Sequence, residues 1–363
     1  MIKLRIGPNF IKMINFYLSD FKYNPNYRSY LVDILKPLFP DRKLEKYSFT
    51  DISFNLVDNI LQSDFFLLPL CWHYYLEKNQ IHLVLDLIQI AQNNNKKILI
   101  FVLGDYYYKL PESTNIIGLY TSPYQSRQNV KTIPLPVIVR DPLPMLDKIR
   151  ICLSNYNIQP TIGFCGQADP NLVISSIKMI KLAYQNMSYS LHMSKKYSGP
   201  IIPATYLRNK ILNIIERSHS IKSDFIRRSR YQGGKSKNVE SFELLKREFY
   251  QNINHTDYTL CIRGTGNFSA RFYETLALGR IPIFINTDCI LPFNNLIDWK
   301  KHVIWIEQNE ISKINSKVIA FHNGLTQDSF LNLQNKNRQI WEDYFSFHGF
   351  IHQLVSNLKE KFN

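Results

Sequence analysis

Three absences in this 363-residue chain narrow the possible classes of protein. No segment approaches the run of roughly 20 apolar residues that a membrane-spanning helix needs. The five cysteines (Cys71, Cys152, Cys165, Cys261 and Cys289) are scattered and form neither a C-x-x-C pair nor any zinc-site spacing. There is no internal repeat and no long low-complexity tract. We therefore expect a globular protein with reduced thiols in a reducing cytoplasm.

The N-terminal stretch MIKLRIGPNFIKMINFYLSDF begins like a signal peptide. Its apolar run is interrupted by Lys12, and no small-residue cleavage site follows. The expectation is that the mature chain begins at Met1 and that this stretch is the first part of the fold.

Positive charge is the most unusual feature of the composition, because 44 Lys and Arg against 29 Asp and Glu give a net charge of +15. The densest basic cluster surrounds two glycines at residues 233–234 and consists of Arg227, Arg228, Arg230, Lys235 and Lys237. Nucleic acid, an anionic membrane surface, and phosphate-bearing or acidic sugars would each fit this charge. The structural alternative for the cluster is a solvated loop.

Short apolar runs alternate with helical patterns in the first half. Strands are predicted over residues 64–70 (DFFLLPL), 98–103 (ILIFVL), 116–120 and 134–139. Between the first two, Ile81, Val84, Leu85 and Ile88 recur at helical spacing. A strand–helix–strand unit of this kind implies a parallel sheet with a right-handed crossover.

The same alternation restarts after a linker that contains Asp141, Pro142 and Pro144. Strands are predicted over residues 162–164, 258–262 and 281–285, and helices over 174–187, 207–215, 240–250 and 269–278. Two such halves predict two doubly wound α/β domains that face each other across a cleft. We place one domain at residues 1–155 and a second domain at residues 156–335. A final helix at 336–363 is expected to pack back toward the first domain.

The stretch from residue 258 to 299 carries the chemistry. A strand delivers Arg263, then a tight turn contains Gly264, Gly266 and Asn267, and a helix begins near Ser269. Glycines allow positive φ and a close approach of backbone amides to a ligand. A helix start attracts anions, and the guanidinium groups of Arg263 and Arg271 can grip a diphosphate. Ser269 can either cap the helix or donate its hydroxyl to a phosphate.

Glu274 lies one helical turn after Arg271, so the two side chains share a face. A carboxylate there can accept both hydroxyls of a ribose, as acidic residues do in nucleotide-binding folds. The structural alternative is a plain ion pair between Glu274 and Arg271.

This segment resembles the C-terminal signature of the exostosin family, glycosyltransferase family 47. The matching residues are Arg263-Gly264, Ser269, Arg271-Phe272, Glu274, Leu276, Gly279-Arg280-Ile281-Pro282, Leu291-Pro292-Phe293, Ile297-Asp298-Trp299 and Trp341-Glu342-Asp343-Tyr344-Phe345. Weaker similarity lies upstream, at residues 63–69 (SDFFLLP), 162–164 with Gly166, and Leu207-Arg208-Asn209. The resemblance spans residues 60 to 350 and is strongest after 255.

The resemblance implies an inverting, metal-independent glycosyltransferase of the GT-B fold. Its donor, a UDP- or GDP-sugar, would be bound by Arg208, Arg263, Gly264, Gly266, Asn267, Ser269, Arg271 and Glu274. Transferases of the other common fold usually hold a metal with an Asp-x-Asp motif, which is missing here. We therefore expect no metal and no cofactor.

The chain departs from animal exostosins, which carry an N-terminal membrane helix and a second transferase domain. It resembles a short, soluble, bacterial relative that builds a surface polysaccharide or lipopolysaccharide. We expect a glycan or lipid-linked acceptor, and a cytoplasmic protein in peripheral contact with an anionic membrane at its inner face.

An inverting transfer also needs a base to deprotonate the acceptor hydroxyl. Asp105 and His73 are the candidates, because each directly follows a predicted strand of the first domain. The structural alternatives are a turn residue for Asp105 and a packing histidine for His73.

Two other functions stay open from the sequence. The charge would suit a nucleic-acid-binding protein, although no helix-turn-helix, RRM or zinc pattern is present, so no nucleic-acid partner is expected. A catalytically inactive, exostosin-like partner subunit is the second alternative, against which the complete set of Arg263, Arg271 and Glu274 argues.

Overall fold

The computed structural model describes residues 13–19, 21–39, 54–229 and 239–362, and within them two parallel sheets are flanked by helices. The first sheet has the order β2-β1-β3-β4-β6-β7, with every neighbouring pair parallel. Its strands are β1 (Ile14–Tyr17), β2 (Phe54–Val57), β3 (Phe65–Leu67), β4 (Lys97–Val102), β6 (Ile116–Tyr120) and β7 (Lys131–Pro134).

The second sheet has the order β10-β8-β11-β12-β13 and is also parallel throughout. Its strands are β8 (Thr161–Gln167), β10 (Lys222–Arg228), β11 (Tyr258–Cys261), β12 (Ile281–Asn286) and β13 (Ile304–Glu307). In chain order, both sheets follow the doubly wound pattern 2-1-3-4-5, the first with one further strand. These two Rossmann-like sheets confirm the predicted α/β, GT-B-type fold.

Helices cover the sheets between these strands. They are α1 (Trp72–Glu77), α2 (Ile81–Asn93), α3 (Leu172–Ser190), α4 (Ala204–Glu216), α5 (Val239–His255), α6 (Ala270–Ala277), α7 (Ile314–Asn323), α8 (Gln327–Ile340) and α9 (Phe347–Phe362). A π-helical turn, Trp341–Phe345, joins α8 to α9. None of the described helices is long and apolar enough to cross a membrane.

Most predicted elements are confirmed, and the differences have local causes. The strand predicted at 134–139 is wrong: β7 ends at Pro134, because Pro134 and Pro136 cannot donate ladder hydrogen bonds. The buried stripe of α2 consists of Val84, Leu87, Ile88 and Ala91, whereas Leu85 faces outward. Gly279 ends α6 with φ +66, as a left-handed stop should.

The two halves share one hydrophobic core. Phe272 and Leu276 of α6 and Leu354 and Leu358 of α9 belong to the same buried cluster as the first sheet. A separate cluster around Ile162 packs the second sheet against its own helices. The boundary near residue 155 and the domain limits stay predictions.

A small two-stranded sheet also bridges the halves. In it β5 (Tyr107–Tyr108), which follows β4, pairs antiparallel with β9 (Lys196–Tyr197), which follows α3. Nearby, the Ser126 hydroxyl and backbone N–H donate to the Asp288 carboxylate. The carboxyl ends of the two large sheets are therefore joined along one edge.

Candidate functional site

The switch point of the second sheet lies between β8 and β11, where the strand order reverses. Ligands of doubly wound sheets bind in the crevice outside such a point. Arg271, on α6, crosses it: Nη2 donates to the Cys165 carbonyl at 2.7 Å and Nη1 to the Leu260 carbonyl at 3.3 Å. Its guanidinium lies 4.3 Å from the Phe164 ring centre. A side chain at Gly166 would collide with it, since a Cβ there would meet Nη2 at 2.7 Å.

Two more predicted arginines converge on the same crevice. Arg263 follows β11, and its Nη1 donates to the Gly264 carbonyl at 3.0 Å, while Nη2 donates to the Ile202 carbonyl. Arg208, on α4, donates from Nη2 to the Arg263 carbonyl at 2.8 Å. The structure thus brings together Arg208, Arg263 and Arg271, which lie up to 63 positions apart in the sequence.

Arg263 and Arg271 are buried without a salt bridge to any described carboxylate. The two residues are only 6% and 9% exposed, and neither forms an ion pair within the described chain. Their hydrogen bonds go to backbone carbonyls, and the buried Nε of each has no partner among the described residues. Burial lowers the pKa of both guanidinium groups. A buried, unpaired charge is costly, so this edge of the sheet is suited to an anion.

The turn after Arg263 differs from the prediction in its glycines. Neither Gly264 nor Gly266 has the positive φ that we expected. The turn is closed instead by the Gly264 N–H, which donates to the Phe268 carbonyl at 3.0 Å. Ser269 is the N-cap residue of α6, but its side chain does not cap the helix.

Asn267 faces the first domain and not the crevice. It is 1% exposed, its Nδ2 donates to the Pro123 carbonyl, and its Oδ1 accepts from the Thr287 hydroxyl at 2.7 Å. Its backbone N–H donates to the Ser122 hydroxyl at 2.6 Å. These contacts favour a role for Asn267 in joining the two halves of the chain, and its contact with the donor stays a prediction.

Glu274 is not ion-paired with Arg271, so the structural alternative fails on geometry. The Tyr250 hydroxyl of α5 donates to Glu274 Oε1 at 3.4 Å. Burial raises the pKa of Glu274, while Arg271, Lys246 and the Tyr250 hydrogen bond oppose the rise. The carboxyl group therefore keeps most of its acceptor capacity for something else.

A cavity of about 500 Å³ opens beside this pair and includes Tyr250, Lys246 and Arg140 in its lining. Trp341 and Phe347 supply its aromatic wall. This volume lies within the range of roughly 300–1,000 Å³ typical of small-molecule sites. Sequence reasoning missed these residues, because they come from α5, the interdomain linker and the C-terminal turn, and only packing places them near Glu274.

Asp105 lies across the domain interface from the crevice. It follows β4 and lies against the donor turn, because a Cβ at Gly266 would meet the Asp105 Cα at 2.9 Å. Burial raises the pKa of Asp105, and the backbone of Gly266 opposes the rise. A carboxylate with a raised pKa is a better general base near neutral pH.

His73 lies at the start of α1, with its Nε2 3.3 Å from the Cys71 Sγ. Its ring stacks on Tyr108 at 6.3 Å between centroids, and burial lowers the pKa of its imidazole. His73 is therefore linked to the loop of Asp105 through Tyr108, on the side of the first domain.

The basic cluster of the sequence lies only partly within the described residues. Arg227 pairs with Glu216 at 2.7 Å and Arg228 with Glu248 at 2.5 Å. Both are therefore neutralised within the fold. Arg230, Lys235, Lys237 and the glycine pair lie outside the described residues.

Comparison with known proteins finds a family match in the second half of the chain. Residues 197–320 match the Exostosin GT47 domain. Zebrafish (Danio rerio) Exostosin-1a is 28% identical over 99 residues, 27% of this chain and 13% of that protein. Drosophila melanogaster Exostosin-1 is 28% identical over 103 residues, 28% of this chain and 13% of that protein. This segment is thus similar to the exostosin family, and the chain aligns with about one eighth of the length of these two proteins.

Solved structures are similar at a more distant level. A glycosyltransferase from Rickettsia africae has a TM-score of 0.37 and 12% identity, covering 96% of this chain and 98% of that one. Anabaena HepE, in complex with UDP and glucose, has a TM-score of 0.33 and 11% identity, covering 96% and 100%. Similarity this low adds nothing to the fold that the two sheets already define.

Proposed function

We propose that this chain is an inverting, metal-independent glycosyltransferase that moves a sugar from a UDP- or GDP-sugar to a glycan or lipid-linked acceptor. The observation that carries the proposal is the pair of buried, unpaired guanidinium groups of Arg263 and Arg271 at the switch point of the second sheet. A diphosphate is the anion whose two charges and geometry match two such groups. The exostosin-type match over residues 197–320 supports the same conclusion.

The donor nucleotide would lie along α6. Its diphosphate would meet Arg263, Arg271 and the uncapped helix start at Ser269, with Arg208 behind them. Its ribose hydroxyls would donate to Glu274, whose neighbour Tyr250 opens onto the 500 Å³ cavity. Gly264 and Gly266 would let the backbone of the turn approach the phosphates.

The transfer itself is a single displacement. The acceptor oxygen would attack the anomeric carbon while the bond from that carbon to the diphosphate oxygen breaks, and Asp105 would take the acceptor proton. The electron pair leaves with the diphosphate, whose developing charge the arginines stabilise. We favour Asp105 over His73, because the Asp105 backbone lies against Gly266 of the donor turn.

The wider setting belongs to the same proposal. It includes a lipid-linked or glycan acceptor, a role in surface polysaccharide synthesis, a bacterial source and a place at the cytoplasmic face of a membrane, all of which are expected from the sequence.

A thermal-unfolding panel with UDP, GDP and their sugar conjugates tests the donor site. A nucleotide at 100 times its Kd stabilises a protein by about 2.7 kcal/mol. We expect one nucleotide class to raise the Tm of the wild type and to leave the Tm of Arg271→Gln unchanged. The matched control is Arg227→Gln, which removes an arginine of the second sheet that already pairs with Glu216.

The outcomes separate the candidate functions. No stabilisation of the wild type by any nucleotide would refute the donor site. Nucleotide binding with neither sugar transfer nor slow hydrolysis of the donor would instead identify an inactive partner subunit. Steep, salt-dependent binding to DNA or RNA without a nucleotide response would favour the nucleic-acid alternative.

A further inference from the structure

Helix α3 has an apolar stripe that no other described part of the chain covers. Its large side chains at Val173, Ile177, Ile180, Tyr184, Met187 and Leu191 are 53% to 71% exposed. Their spacing of four and three residues places all of them on one side of the helix. Soluble monomers rarely expose contiguous apolar patches of this kind unless the patch binds something.

The opposite side of α3 holds the helix onto the domain. Ser175 is its one fully buried residue. Nearer the C-terminus, Asn186 Nδ2 donates to the Gly199 carbonyl at 2.7 Å, and its Oδ1 accepts from the Ser198 N–H at 3.2 Å. The stripe therefore points directly away from the protein, and the helix is fixed in that orientation.

The charged residues within α3 and in the segment that follows it are all positive. Residues 172–198 contain no Asp or Glu, whereas Lys178 and Lys181 lie on the helix and Lys195 and Lys196 follow it. Neither Lys178 nor Lys181 forms an ion pair with any described residue. Two copies of this helix would bring the same positive charges together, which disfavours self-association.

We propose that α3 is a docking surface for an anionic phospholipid bilayer. At about 1.5 Å per residue, its 19 residues would lie along roughly 28 Å of the interface. The apolar stripe would enter the boundary between headgroups and acyl chains, and the lysines would meet the anionic headgroups. This is an interfacial contact and not a membrane span.

The position of α3 gives the docking a purpose that rests on the proposed function. Its C-terminal end leads into β9, which pairs with β5, and β5 follows Asp105 by two residues. Tyr189 of α3 contacts Tyr197 of β9, with ring centroids 5.6 Å apart. A bilayer against α3 would therefore hold a lipid-linked acceptor beside the proposed base.

Cosedimentation of the full chain with vesicles, in the absence of donor and acceptor, tests the docking without depending on catalysis. We expect binding to phosphatidylcholine vesicles that contain phosphatidylglycerol and much weaker binding to phosphatidylcholine alone. The variant Ile177→Asp with Ile180→Asp should lose at least about tenfold in affinity, because charges replace two apolar side chains that would enter the bilayer. Lys178→Gln with Lys181→Gln should lose roughly fivefold for each lysine.

Ile158→Asp is the matched control, because Ile158 is 91% exposed and lies outside α3. It should bind as the wild type does, and all variants should keep the wild-type unfolding temperature, since the changed side chains face solvent. Failure of the wild type to bind anionic vesicles would overturn the proposal. So would a dimer, measured by light scattering, that Ile177→Asp with Ile180→Asp dissociates, because a second copy would then be the occupant. Nucleotide stabilisation in the unfolding panel would be unaffected by either result.

Discussion

Gly264 and Gly266 look equivalent in the sequence, but the structure makes opposite predictions for their replacement by alanine. A Cβ at Gly266 would meet the Asp105 Cα at 2.9 Å and the Phe268 ring at 2.5 Å. A Cβ at Gly264 would meet only the far end of the Arg208 side chain, at 3.9 Å. Neither glycine has positive φ, so backbone strain does not separate the two substitutions.

The cost of Gly266→Ala follows from that crowding. Asp105 Cα is backbone of the other domain, so it can yield only if the two domains shift. Overpacking of this kind costs about 1–3 kcal/mol. Gly264→Ala should be neutral or stabilise by up to about 1 kcal/mol, because alanine lowers the entropy of the unfolded chain. For domains of this size, each kcal/mol shifts the Tm by roughly 2–4 °C.

Thermal unfolding of the two variants beside the wild type measures the difference, and transfer activity gives a second readout. Gly266→Ala should unfold at a lower temperature and transfer sugar more slowly, because it displaces Asp105 from the turn. Gly264→Ala should match or exceed the wild-type Tm. Equal unfolding temperatures for the two variants would refute the close approach of Asp105 to Gly266, and with it the assignment of the base.

Two further predictions concern the carboxyl groups of the site. Asp105→Asn should lower the rate of sugar transfer by about 10²- to 10⁴-fold, while nucleotides still stabilise the variant. His73→Gln should change the transfer rate far less. The reverse order in a sugar-transfer assay would make His73 the base. Because burial raises the pKa of Glu274 above its usual value of 4.5, the folded state holds that proton more tightly than the unfolded state. The resulting stabilisation is complete below the pKa of the unfolded state and is lost as the pH rises through the pKa of the folded state. Glu274→Gln should therefore flatten the decline of Tm from acid to neutral pH. Parallel Tm profiles for the variant and the wild type would contradict this prediction.

Periodicity and composition predicted most of the second sheet correctly. Continuous apolar runs predicted β11 and β12, because almost every residue of these strands is buried. The helical spacing of Leu207, Ile211 and Ile215 predicted α4, because these residues form its buried face. The strands β10 and β13 were missed. In β10 the run KSDFIRR is mostly exposed and polar, so its own sequence has no apolar strand pattern. Pairing with β8 makes this segment a strand.

The candidate site was only half predictable. Arg263, Arg271 and Glu274 are close in sequence and share one strand–turn–helix unit, so their proximity follows from local geometry. The absence of an Arg271–Glu274 ion pair does not follow, because Arg271 turns toward carbonyls of β8 and β11 and Glu274 turns toward Tyr250. Those partners come from residues 165, 260 and 250, and only the packed sheet and helices bring them together.

By itself, the sequence determined that this chain alternates strands and helices and that the residues after 262 resemble the exostosin signature, because both are short-range patterns. The tertiary structure decided which atoms that site leaves without a partner. It also decided that Asn267 bonds to the Pro123 carbonyl, that Asp105 lies against Gly266, and that no other described residues cover the apolar stripe of α3. Each of these depends on contacts between segments far apart in the chain, and a pattern of neighbouring residues holds no information about which surfaces will meet.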